Sequence, residues 1–272
     1  MHYPRRAPAS TAAPDNQEVT PPMTVPRMMC VHAHPDDESL WTGGTIARHA
    51  ERGGDVSVVT ATWATGTSRH KELCNALKEL GVTRDPIMLG FADDGVPLSA
   101  PGSKKFCDVS FDKEVRILVG HIRRLRPEIL ITYDPIGIYG HRDHVHAHRL
   151  ALAAADAAGA SMLHRSTGPA WKIRSVYMAT IADWMIEDVA DDFFPTISRY
   201  ALPGTPPSGI DLELDVSPWV KRKAAAVASH RTEVERSHMI SKLMNLPAER
   251  RDRLFGTECY IRRDLVRGGC DL

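Results

Sequence analysis

Strand-like and helix-like segments alternate through the first 160 residues, and that alternation limits the fold more than any other feature. A short apolar run at 28–33 leads into an acid-started helical pattern that reaches about residue 52 and stops at Gly53 and Gly54. A β-branched run at 55–62, a helix over 68–80 and strands at 86–90 and 128–133 follow, with a helix over 111–125 between the two strands. An alanine-rich helix then covers 141–158, ending at Gly159. Short apolar runs bounded by turn residues suit buried parallel strands, and the helices between them supply the crossovers. The pattern predicts an α/β fold with a doubly wound, mostly parallel, Rossmann-like sheet.

After residue 170 the pattern loosens. A strand at 174–181, a helix at 218–229 and a closing strand at 258–261 are still readable. The reading is one domain over 27–272, with 171–272 as a C-terminal addition. Trp184, Met185, Phe193 and Phe194 lie among acids ahead of a Pro/Gly-rich connection, so 183–210 reads as a candidate lid. Residues 1–26 hold prolines and polar residues without an apolar core segment, and read as a disordered arm rather than a secretory signal. Met23 is an alternative start.

Charge balance excludes some partners. Lys plus Arg and Asp plus Glu are both 34, so no net field recruits nucleic acid or an anionic membrane. No apolar stretch approaches the roughly 20 residues of a membrane span. Five cysteines without a CxxC pair argue against a disulfide framework and for a reducing, cytoplasmic setting.

Two short segments carry the chemistry. Ala33-His34-Pro35-Asp36-Asp37-Glu38 follows the first strand, and Tyr139-Gly140-His141-Arg142-Asp143-His144 follows the fourth. Ligands in doubly wound sheets bind beyond the carboxyl ends of strands, so both segments open onto one edge. His34, Asp37 and His144 form a two-imidazole, one-carboxylate set suited to Zn2+ with an open position. The same set accepts iron(II) or cobalt(II). Asp36 is left free as a general base toward water and then as the acid toward a leaving amine. His141, one turn before His144, is placed to steady an oxyanion as imidazolium, with Asp143 as its partner. Together these residues read as a metal-dependent hydrolase.

The AHPDDES and GHRDH segments, Arg69-x-x-Glu72-Leu73 with Leu80-Gly81-Val82, and the KAAAVASHRTE stretch at 223–233 resemble the LmbE-like (PIG-L) zinc de-N-acetylases. The resemblance runs from about residue 28 to 260. It implies removal of acetyl groups from N-acetylglucosaminyl compounds, zinc at His34, Asp37 and His144, Asp36 as base, and His141 on the oxyanion side. It also implies that Arg69 and Asp93 touch sugar hydroxyls. Two departures point away from inositol-linked sugars: the loop Trp63-Ala64-Thr65-Gly66-Thr67 lacks acids common there, and Glu233 stands where glutamine is frequent. With the aromatics of 183–210, they favour a bulky, partly apolar aglycone. The chain as a whole is most similar to deacetylases of teicoplanin-type glycopeptide pseudoaglycones, which implies a role in antibiotic biosynthesis. The alternatives are a deacetylase of N-acetylglucosaminyl-inositol (mycothiol-type) compounds and a non-catalytic sugar-binding module. A two-metal phosphoesterase lacks the extra strand-end carboxylates it needs. No GxGxxG follows the first strand, against a dinucleotide.

Overall fold

A computed structural model of the chain describes residues 25–198 and 201–272. Most of the arm expected at 1–26 lies outside the described residues. The seven strands are β1 (Met28–His32), β2 (Val56–Thr62), β3 (Ile87–Phe91), β4 (Ile129–Tyr133), β5 (Ser175–Thr180), β6 (Leu212–Asp215) and β7 (Thr257–Asp264). They form one sheet in the order β3-β2-β1-β4-β5-β7-β6. The first five pair in parallel, and β7 pairs antiparallel with both β5 and β6. The α/β, mostly parallel expectation holds.

Strands β1, β2, β4 and β5 are buried along their whole length, as their unbroken apolar and β-branched runs require. The crossover helices are α1 (Asp37–Glu51), α2 (Ser68–Glu79), α3 (Phe111–Leu125) and, after the single turn α4 (Gly137–Gly140), α5 (Arg142–Gly159). Helix α3 places Val115, Leu118, Val119 and Ile122 on one face, the i, i+3, i+4, i+7 spacing that buries a stripe, and that face packs on α5.

The chain order reverses at β1, which has β2 on one side and β4 on the other. This is the topological switch point, where a crevice opens at the strands' carboxyl ends. The described part of 171–272 is more helical than the sequence indicated. It contains α6 (Asp183–Phe193), α7 (Val220–Ser229), α8 (Arg231–Arg236), α9 (His238–Met244) and α10 (Ala248–Phe255). These helices stand beside the crevice and extend it into a cleft. No helix among the described residues is long and apolar enough to cross a membrane.

Candidate active site

Strand β1 ends at His32, and the next four residues turn sharply into α1. Asp36 takes φ 127°, a region that favours glycine. Such a residue stores on the order of 1–3 kcal/mol, which its surroundings must offset. Glu38 accepts the Asp36 N–H at 3.0 Å, and the Arg69 guanidinium stands 3.2 Å from Asp36 Oδ1. Glu38 is itself fully buried and paired with His230 across 2.8 Å. The strained turn separates the two neighbouring carboxylates, so Asp37 faces His34 and His144 while Asp36 faces Arg69.

His34, Asp37 and His144 meet. His34 Nδ1 lies 3.2 Å from His144 Nε2 and 3.2 Å from Asp37 Oδ2, and His144 Nε2 lies 3.3 Å from Asp37 Oδ1. Each group is held from behind. Asp37 Oδ2 accepts the Tyr133 hydroxyl at 2.6 Å and the His34 N–H at 2.8 Å, and Oδ1 accepts the Trp41 indole N–H at 3.0 Å. The His144 ring stacks on Tyr133 with centroids 4.2 Å apart, and its Nδ1 faces the Gly137 carbonyl at 3.3 Å. His34 Nε2 sits between Asp143 Oδ2 at 3.2 Å and Asp93 Oδ2 at 3.3 Å.

That surround fixes the tautomers. A carbonyl behind His144 Nδ1 and two carboxylates behind His34 Nε2 draw the ring protons outward. Two imidazole lone pairs are then left facing each other beside a carboxylate. A cation between them relieves the repulsion, and nitrogen ligands at about 2.0–2.1 Å around a tetrahedral ion stand at close to this separation. The donor set fits a divalent metal. Ligating imidazoles bound outward to carbonyl or carboxylate are the usual support for such a site.

The surrounding carboxylates favour positive charge at this place, carried by a ring proton or by a bound cation. Burial would lower the His34 pKa, but Asp143, Asp37 and Asp93 hold it well above the ordinary histidine value. Burial opposes ionisation of Asp37, yet His144 and His34 hold it well below the carboxylate range. Asp36 is pushed up to about 7, mainly by burial and then by Asp37 and Glu233, against the pull of Arg69 and His230. That value suits a proton acceptor near neutral pH; a divalent ion on Asp37 works in the other direction.

Two expectations are corrected. Asp143 does not partner the His141 ring through its carboxylate. It stands at the second position of α5, where its oxygens meet His34, the Asp94 N–H at 3.1 Å and the Cys107 thiol at 3.1 Å. Its pKa falls to about 2: burial opposes this, and His34 outweighs it. His141 is not built as an imidazolium. As the cap of α5 its Nδ1 accepts the Asp143 backbone N–H at 3.2 Å, so the proton rests on Nε2, and burial together with His34 and His144 lowers its pKa. It remains beside this cluster, with ring centroids 4.8 Å from His34 and 4.7 Å from His144, as a neutral donor.

Arg69 and Asp93 both line the cleft but are heavily engaged. Arg69 is 3 % exposed and binds the Pro35 carbonyl, Asp36 and Glu233. Asp93 Oδ1 accepts the Gly95 and Val96 N–H groups at 2.7 and 2.9 Å, while Oδ2 faces His34. The cleft has a volume of about 670 Å³ and includes Met185, Ile186, Phe193 and Phe194. Trp184 instead packs against the small buried cluster of Ala182, Met185 and Cys259. The sequence reading gave no role to Tyr133, Trp41 or Tyr139, the last at the cleft with its ring 5.3 Å from His144. Trp41 had a signal, since it lies four residues after Asp37 on α1.

Residues 29–155 match the PIG-L family, described as GlcNAc-PI de-N-acetylase. The 1D-myo-inositol 2-acetamido-2-deoxy-alpha-D-glucopyranoside deacetylase of Streptomyces avermitilis is 35 % identical over 89 % of this chain and 92 % of its own length. Among solved structures, the N,N'-diacetylchitobiose deacetylase of Pyrococcus horikoshii superposes with a TM-score of 0.61 at 17 % identity, covering 88 % of this chain and 84 % of that one. The zinc-inhibited form of teicoplanin deacetylase Orf2 does so with a TM-score of 0.55 at 16 % identity, covering 89 % of this chain and 100 % of that one. Both structural likenesses are of fold. The sequence relationship makes this protein a deacetylase, its clustered His and Asp side chains could hold the metal ion such an enzyme uses, and the chain belongs to the PIG-L family of de-N-acetylases.

Proposed function

We propose that this protein uses zinc to remove the acetyl group from an N-acetylglucosaminyl unit joined to inositol. The observation that carries the chemistry is the facing pair His34 Nδ1 and His144 Nε2 beside Asp37, with Asp36 next in the chain. A zinc ion held by His34, Asp37 and His144 would lower the pKa of a water and polarise the acetamide carbonyl. Asp36 takes the proton from the attacking water, and Arg69 keeps its carboxylate aimed. The His141 Nε2–H donates to the oxygen that becomes negative as the carbonyl is attacked. Asp36 then returns its proton to the departing amine, leaving acetate and the free glucosaminyl compound. Arg69 braces the turn, while Asp93 supports His34 and meets the sugar from the cleft wall.

The inositol-linked substrate is supported by relatives at 35 % identity over nearly the full chain, whereas the teicoplanin deacetylase shares fold at 16 %. A teicoplanin-type assignment is therefore not favoured. One observation speaks for a bulkier aglycone: the cleft beyond the polar centre is walled by Met185, Ile186, Phe193 and Phe194 from one side and Met239 and Ile240 from another. A single assay separates the readings. Enzyme is incubated with N-acetylglucosaminyl-inositol, a glycopeptide pseudoaglycone and free N-acetylglucosamine, and loss of one acetyl group is followed by mass spectrometry. Preference for the inositol glycoside is expected; preference for the pseudoaglycone reverses the assignment, and no acetyl loss from any of them removes it.

A further inference from the structure

Lys223 is a buried cation that the chemistry above does not use. It stands on α7, is 2 % exposed, and yet belongs to the wall of the cleft. Its ammonium donates to Glu258 Oε1 at 2.6 Å. Its stem crosses α1 at Gly43, where an added Cβ would stand 3.2 Å from Lys223 Cγ. Glu258 is well supplied with other donors. It accepts the N–H groups of Gly44 and Thr45, each at 2.8 Å, and the Tyr260 hydroxyl at 3.1 Å.

The two partners are unequally satisfied. An ammonium carries three N–H donors, and among the described residues Lys223 finds one hydrogen-bond acceptor, Glu258. The Phe255 ring, 5.4 Å from Nζ, covers another side. Donors without acceptors, set in a cleft wall where solvent barely reaches, suit an acceptor brought in by the ligand.

Position and charge say what kind of acceptor. Gly43 lies six residues beyond Asp37 on α1, about 9 Å at 1.5 Å per residue. With the acetamide at His34, Asp37 and His144, a pyranose ring and its glycosidic oxygen fit between the two places, so Lys223 meets the aglycone. Glu258 already balances the ammonium charge. An anionic aglycone gains little field there, while a hydroxyl oxygen gains a hydrogen bond in a water-poor setting. We infer that Lys223 is a specificity residue whose ammonium donates to a neutral hydroxyl oxygen of the aglycone. This rests on the proposed deacetylation of a glycoside in this cleft.

The test compares N-acetylglucosaminyl-inositol, phenyl N-acetylglucosaminide, whose aglycone has no hydroxyl, and free N-acetylglucosamine. Lys223→Met keeps the length of the side chain and removes the donors. It should raise KM for the inositol glycoside about tenfold to a hundredfold more than for the other two, the range of a charge-assisted hydrogen bond, while kcat changes little. If that variant does not fold, Lys223→Met with Glu258→Gln removes the donors together with the buried charge left behind and carries the same comparison. Parallel losses on all three compounds with a lowered Tm would make the pair purely structural and overturn the inference. So would an unchanged KM for the inositol glycoside. Wild-type enzyme inactive on all three compounds would instead bring down the functional reading, and the inference with it.

Discussion

Tyr133 donates its hydroxyl to Asp37 at 2.6 Å while its ring stacks flat on His144 at 4.2 Å, so one residue at the end of β4 sets two of the three groups proposed to hold the metal. The two segments that contribute them are about a hundred residues apart in sequence. They meet because β1 and β4 are neighbours across the switch point of the sheet. Metal affinity should therefore depend on each of the three groups at once.

Replacing His34, Asp37 or His144 with Ala should strip bound metal and activity together. Metal analysis of the purified variants checks this against wild type. Full occupancy in any two of them would move the site elsewhere.

Asp36→Asn should behave differently. Asp36 points to Arg69 rather than into the His34–His144 pair, so the variant should keep metal. Turnover should fall by about 10²–10⁴-fold, the range for loss of a positioned proton-transfer group. Normal turnover with metal bound would leave Asp36 as a turn residue only.

The pairing of His34 with His144 was readable from the sequence because each follows a buried strand and the order of elements brings both to one edge. The role of Asp143 was not. Which way it points depends on how α5 starts, after a turn in which Gly137, Ile138 and Gly140 all take positive φ. Spacing of three residues cannot report that rotation. The contacts of His230 and Glu233 were also hidden, since they reach Glu38 and Arg69 from more than 160 residues away. Their place is set by α7 and α8 packing beside α1 and α2. Strand β6 has the alternation Leu-Glu-Leu-Asp, but four residues are too few to separate a strand from a loop.

The His230–Glu38 pair gives a pH-dependent stability. Burial would lower the His230 pKa, but Glu38 and Asp36 raise it above 6.5. Its contribution is then complete below the unfolded value and lost as pH rises through the folded one. Glu38 works in the opposite sense. Burial opposes its ionisation, His230 lowers its pKa below 4.5, and its contribution is lost only as pH falls through that lowered value. His230→Ala should cost about 3–5 kcal/mol near pH 6, the usual loss when one partner of a buried pair is removed. The gap in Tm between wild type and variant should narrow as pH is raised above the His230 value. Chemical and thermal melts across pH 5–9, with chelator present throughout, measure it; a gap that widens at high pH would mean His230 is buried neutral.

Arg69 offers the sharpest separation between supporting a residue and touching a sugar. Its guanidinium binds the Pro35 carbonyl and Glu233 and stands 3.2 Å from Asp36, which makes it the brace of the strained turn. A lysine has one compact ammonium and cannot reproduce that planar fork. Arg69→Lys should therefore release Asp36 from its orientation. A brace predicts that kcat falls at least tenfold with metal retained and KM within about threefold, because the lost geometry matters mainly in the transition state. A sugar contact predicts the reverse, a raised KM at nearly constant kcat, since binding is lost equally in ground and transition states. Glu233→Gln adds a control. It keeps an acceptor for Arg69 and removes one carboxylate that raises the Asp36 pKa. The acid limb of the kcat profile should move to lower pH in that variant. An acid limb that stays in place, with an Arg69→Lys effect confined to KM, would return Arg69 to the sugar and leave the turn braced by Glu38 alone.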